Sequence, residues 1–272
     1  MGKGPTRFIN AGIDQNLKDQ GYQVKVKKIQ LSKQYNSELK TIAILNNSLG
    51  KVVKKALKEG FFPFILGGNC NTCLGTLAGF DKPKPGIIWF DAHGDFNTPE
   101  TSPSGFLDGM GLAIATGQCF HDIDAIIKNM HPIQESYTLH IGARDLDPKE
   151  RNLLESTKVL IVENIILKKK GIQNGLLPKL IELKSQTQQV YLHIDIDVID
   201  PSVAPGVDFP TPEGLFIDEM EEAFEIIGEN IQIKAAALTA YNPEKDFANK
   251  TLQAGFKVIN SILRIVKNQN IG

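Results

Sequence analysis

The chain is short of cysteine, has no long apolar run and carries no excess of either charge. Each absence removes a class of protein. Cys70, Cys73 and Cys119 are its only three cysteines. An odd, low count argues against a disulfide scaffold and for a reducing compartment. Cys70 and Cys73 make a C-x-x-C pair, but no second pair follows, which argues against a zinc ribbon. No apolar run reaches the roughly 18 residues of a membrane span. No apolar leader opens the N-terminus, so secretion is not expected. Thirty basic residues face 31 acidic ones, for a net charge of −1. That leaves no basic field for nucleic acid. The expectation is a cytoplasmic protein with a small-molecule partner and neither a nucleic-acid nor a membrane partner.

What is present is a patterned α/β chain. Its 272 residues, 42% of them hydrophobic, are enough for one large core. Phe61–Leu66, Gly86–Phe90, Tyr137–Ile141, Val159–Val162, Val190–Ile194 and Ile233–Leu238 are short apolar runs. They read as strands buried on both faces. Helical patterns fall between them, near Ser37–Lys58, Gly109–Thr116, Pro148–Ser156, Leu176–Lys184, Ile217–Ile227 and Asn249–Val266. The alternation predicts a mainly parallel sheet with helices on both faces. No repeat or linker divides the chain, so residues 1–272 read as a single domain.

In such sheets ligands bind beyond the carboxyl ends of the strands. The polar motifs sit there. Gly67-Gly68-Asn69-Cys70 follows the first run, and Asp91-Ala92-His93-Gly94-Asp95 the second. Gly142 to Asp147 follows the third, Asp195-Ile196-Asp197 closes the fifth, and Thr239 to Pro243 follows the sixth. Asp91, His93 and Asp95 alternate, so extended backbone turns all three to one side. Asp195 and Asp197 repeat the spacing. Four carboxylates converge only with raised pKa values or a cation. One imidazole among oxygen ligands suits a manganese-like ion better than structural zinc. Two ions sharing Asp91 and Asp195 would activate a water between them. The bland alternative is that these acids are turn residues, which D-x-H-x-D together with D-x-D makes the weaker reading. Asp200, before Pro201, reads as such a turn residue.

Residues 91–104 (DAHGDFNTPETSPS) and 195–215 (DIDVIDPSVAPGVDFPTPEGL) resemble the two long signatures of the arginase/agmatinase ureohydrolase family. Gly67 to Asn71 and Thr239 to Pro243 resemble two shorter ones. The resemblance implies a three-layer αβα sandwich, two Mn2+ ions, hydrolysis at a guanidinium carbon, and homo-oligomers (trimers or hexamers). Carried over, Asp91 and Asp195 bridge both metals. Asp95 and Cys70 complete one shell, His93 and Asp197 the other. Asn97, Ser102 and Ser104 match positions that hold a substrate α-carboxylate, and Asp147 one near the α-amino group. The bland alternative is that these polar groups satisfy loop backbone.

The chain departs from the family at four places. Cys70 replaces a histidine ligand; it is either a thiolate ligand or an inert buried thiol. This change is similar to the hydroxyarginine hydrolase of cycloserine biosynthesis, which makes an N-hydroxyguanidino substrate an option. Asp108 replaces a histidine proton shuttle; it is either an acid–base catalyst beside Asp95 or a helix N-cap. Ala240 stands in for the glutamate that holds the guanidinium, and Phe209 for a small polar residue. Both imply a less polar pocket, with Asp208 as a compensating charge of unknown direction. Lastly, Met1–Pro5 begins inside the family's first strand-to-helix loop, so its first strand is expected to be missing. The leading expectation is a metal-dependent hydrolase of a linear C–N bond on an arginine-related amino acid, N-hydroxyarginine among them. The alternatives are a formimino or other amidine amino acid, and a non-catalytic metal- or ligand-binding protein.

Overall fold

The computed structural model describes residues 2–31 and 35–269. Six strands form one sheet: β1 Phe64–Leu66, β2 Gly86–Phe90, β3 Thr138–Ile141, β4 Leu160–Val162, β5 Gln189–Asp195 and β6 Gln232–Thr239. Their order is β1-β6-β5-β2-β3-β4, and every pairing is parallel. All six apolar runs are therefore strands. The first begins later than expected, after Pro63, because proline has no N–H for the ladder.

Eleven helices flank the sheet among the described residues: α1 Gly4–Asn10, α2 Ile13–Asp19, α3 Glu38–Lys58, α4 Thr72–Ala78, α5 Gly111–Thr116, α6 Ile123–Ile126, α7 Pro148–Glu155, α8 Asn164–Lys170, α9 Ile172–Gln186, α10 Ile217–Asn230 and α11 Lys250–Gln269. Ser37 caps α3 by accepting a hydrogen bond from the Lys40 amide at 3.3 Å. The sheet's two faces carry separate cores, which gives three layers. Along β2, Ile88 and Phe90 join one core, with residues of α1, α2, α9, α10 and α11. Ile87 and Trp89 point the other way, into a core shared with α3, α4 and α5. All five β2 residues are buried, as a parallel strand covered on both faces requires.

The N-terminal expectation changes in one respect. Gly4 and Pro5 open α1, and Met1 lies outside the described residues. No strand precedes β1 among the described residues, and β1 is an edge strand. The site is positioned by strand order. The chain runs outward from β2 to β3 and β4, then returns to place β5 on the other side of β2. That reversal opens a crevice between the carboxyl ends of β2 and β5.

Candidate metal centre

Asp91 follows β2 and Asp195 ends β5, so the crevice is where the two acidic motifs meet. Two groups of side chains bring their ligand atoms within 4.8 Å of one another: Cys70, Asp91 and Asp95, and Asp91, His93 and Asp197. Asp91 belongs to both. Asp195 belongs to neither, but its Oδ2 accepts a hydrogen bond from Cys70 Sγ at 2.9 Å. The loops are held by their own acids. Asp91 Oδ1 accepts from the His93 amide at 2.7 Å, Asp195 Oδ1 from the Asp197 amide at 2.8 Å, and Asp197 Oδ1 from the Ala92 amide at 3.2 Å. Asp95 adopts a left-handed φ of 48°, which turns the chain back toward Asp91.

Buried acids this close strain against one another. Burial, then repulsion from neighbouring aspartates, pushes Asp95 and Asp195 well above the ordinary carboxylate range. Asp197 moves up for the same reasons. Burial also raises Asp91, but hydrogen bonding and charge from His93 leave it low. Burial opposes a charge on His93. Its Nδ1, 3.1 Å from Asp197 and 3.4 Å from Asp91, outweighs that and pushes the pKa up to about 12. A divalent cation would relieve this concentration of negative donors. The donor set, mostly carboxylate oxygen with one imidazole and one thiol, fits such an ion.

The residues expected around the metals fall in several places. Asp108 does not cap its own helical turn. Its Oδ1 accepts from the Cys70 amide at 2.8 Å and the Asn71 amide at 3.3 Å. Burial pushes its pKa up to about 7 against those amides. Asn97 and Asp147 come together, Nδ2 donating to Oδ2 at 3.0 Å. Ser102 and Ser104 instead accept from the amides of Gly105 and Phe106 in the same turn. Phe209 stands over His93, ring centroids 6.2 Å apart, and beside Phe106 at 5.8 Å. Ala240 is buried at a left-handed φ of 62°. Asp208 is already paired. Lys245 lies 2.9 Å from its Oδ1, and Asn242 Nδ2 donates to it at 2.8 Å.

The supporting contacts were not visible in the motifs. Trp89 Nε1 donates to Asp91 Oδ2 at 3.0 Å, and its ring stacks on His193 at 3.6 Å. Thr239 Oγ1 lies 3.1 Å from Cys70 Sγ and 3.3 Å from His193 Nε2, whose Nδ1 meets Tyr191 Oη at 2.7 Å. Glu150 accepts from the amides of Phe96 and Asp147. Gly94 leaves room for it, since a Cβ there would lie 2.5 Å from Glu150 Oε1. The one available signal was position, because Trp89, His193 and Thr239 stand at or near the strand ends that carry the ligands.

Residues 2–264 match the model of the arginase family. The chain is 33% identical over 271 residues to an arginase of Bacillus caldovelox, covering 95% of this chain and 91% of that protein. The crystal structure of an arginase from Bacillus subtilis superposes with a TM-score of 0.88 at 32% identity, over 96% of this chain and 91% of that one. An Entamoeba histolytica arginase, solved in complex with L-ornithine, superposes with a TM-score of 0.85 at 26% identity, over 96% and 90% of the two chains.

Proposed function

The chain belongs to the arginase family, and on that premise we propose that it hydrolyses the C–N bond between the guanidinium carbon and the chain-side nitrogen of an arginine-related amino acid. At the level of the family it is a metal-dependent amidinohydrolase. The observation that carries the proposal is the pair of triads sharing Asp91. They support two Mn2+ ions: Cys70, Asp91 and Asp95 would hold one, Asp91, His93 and Asp197 the other, with Asp195, bonded to Cys70, as a further ligand. Bound there, the ions would supply Lewis acidity and an activated water.

The remaining roles belong to the chain itself. Asn97 and Asp147 hold the amino-acid end of the substrate, with Ser102 and Ser104 lining the approach. An arginase relative bound to L-ornithine supports an amino acid over a decarboxylated amine. Asp108, whose pKa burial pushes up to about 7, and Asp95 move protons at the reacting end. Phe209 and Ala240 bound that end with apolar surface, and N-hydroxyarginine suits it better than arginine. A second reading, a formimino or other amidine amino acid, draws on one observation. Asp208 is engaged by Lys245 and Asn242, so no spare carboxylate there replaces the glutamate missing at Ala240. We take residues 1–272 as one catalytic domain, acting in the cytoplasm as a homo-oligomer. The described residues include no helix long and apolar enough to cross a membrane.

The test is product release in the presence of manganese. Urea or hydroxyurea from arginine or N-hydroxyarginine, with none from agmatine or guanidinobutyrate, is the expected result. Formamide or ammonia from formimino amino acids alone would favour the second reading. Release from no member of the panel would sink the substrate assignment.

A further inference from the structure

We propose that Arg144 is a positioning residue that locks the mouth of the site to the Asp91–His93–Asp197 triad. The proposal rests on reading that triad as a metal subsite. Arg144 follows β3 after the left-handed turn at Gly142, φ 97°. Its guanidinium makes five hydrogen bonds, all to main-chain carbonyls. Nε donates to Pro212 at 3.0 Å. Nη1 donates to Gly142 at 3.4 Å and Val198 at 3.2 Å. Nη2 donates to Asp197 at 2.8 Å and Thr211 at 2.9 Å. A guanidinium has five N–H groups, so its donor capacity is fully used.

Those carbonyls belong to different loops. Asp197 and Val198 lie in the turn after β5 that carries a ligand. Thr211 and Pro212 lie in the loop that carries Phe209. The backbone of the same segment adds a third tie, because the amides of Arg144 and Asp145 both donate to the Ala92 carbonyl, at 2.8 and 3.0 Å. Ala92 sits between Asp91 and His93. The mouth loop then closes the circuit, with Thr211 Oγ1 3.5 Å from His93 Nε2. The side chain therefore joins one ligand-bearing loop to the loop that carries Phe209, and the main-chain amides beside it tie in the second ligand-bearing loop. None of its contacts reaches Cys70 or Asp95. Lysine offers three donors from one point and cannot span five carbonyls in a plane.

The consequence is asymmetric. Loosening Arg144 weakens one metal subsite and spares its neighbour. The experiment is equilibrium binding of manganese alone to the full chain, comparing wild type with Arg144→Lys and Arg144→Gln. Far-UV circular dichroism and thermal melts verify folding. The expected result is two ions per chain for wild type. In each variant one ion is retained at wild-type affinity and the second is weakened about 10- to 100-fold, the usual loss when a ligand's support is removed. Thr211→Val, at the far end of the same link, tests the proposal if the arginine variants do not fold. It should weaken the same single ion to a smaller degree. Equal weakening of both ions, or two ions held as in wild type by a folded variant, overturns the proposal while leaving the metal centre intact. A wild-type chain that binds no manganese overturns both.

Discussion

Glu150 is a buried acid whose neighbours are amides rather than cations. Burial raises its pKa to about 7, against the pull of the Phe96 and Asp147 amides. The folded protein therefore keeps this proton from pH 4.5 up to about 7, a range where the unfolded chain has lost it. Stability from this group is greatest on the acid side and falls by about 3 kcal/mol as pH rises through that window. Urea denaturation of metal-free protein from pH 5 to 8 should show the fall, to which the raised aspartates of the metal centre add, and Glu150→Gln should make it shallower. An equal slope in both proteins would remove Glu150 as a cause.

Among the elements, α1 buries one large side chain. Phe8 is 2% exposed, with its ring 5.1 Å from Tyr241 and 6.1 Å from Phe256 of α11. Gly255 admits it, since a Cβ there would lie 2.4 Å from Phe8 Cζ. Phe8→Ala should cost about 3–5 kcal/mol, the range for emptying a buried aromatic site. Because Tyr241 directly follows Ala240, the loss should also raise KM, measured by chemical denaturation and steady-state kinetics together. This helix was not legible in the sequence, and neither was α4. Each has seven residues, too few to repeat an apolar face, and α4 (TCLGTLA) has almost no polar side to contrast with a buried one. The strands were legible because continuous apolar runs as short as Gly86–Phe90 have few uses other than a strand covered on both faces. The same logic divides the site. Asp91, His93 and Asp95 lie close in sequence just past one strand end and could be read from spacing, although the left-handed turn at Asp95 sends it and His93 to different triads rather than to one side of an extended strand. Arg144 reaching Thr211, or Glu150 reaching Phe96, joins residues far apart in sequence, and no spacing records that.

For the molecule as a whole, the sheet brings four aspartates to one crevice in a chain whose net charge is only −1. The instability is local, and its remedy is a cation rather than a change of bulk charge. Chelation should therefore lower the thermal midpoint, and manganese should raise it in a concentration-dependent way. At 100 times the dissociation constant each bound ion adds about 2.7 kcal/mol, or several degrees for a protein of this size. Calorimetry with and without chelator measures it, and a midpoint indifferent to manganese would contradict the cation's role in the fold. One contact makes the same event visible by light. Trp89 is the chain's single tryptophan, and its indole N–H is bonded to the aspartate shared by both triads. A cation drawing charge from Asp91 would change the field at the excited indole directly. Trp89 emission should therefore shift when manganese is added to metal-free protein, with no second tryptophan to mask it.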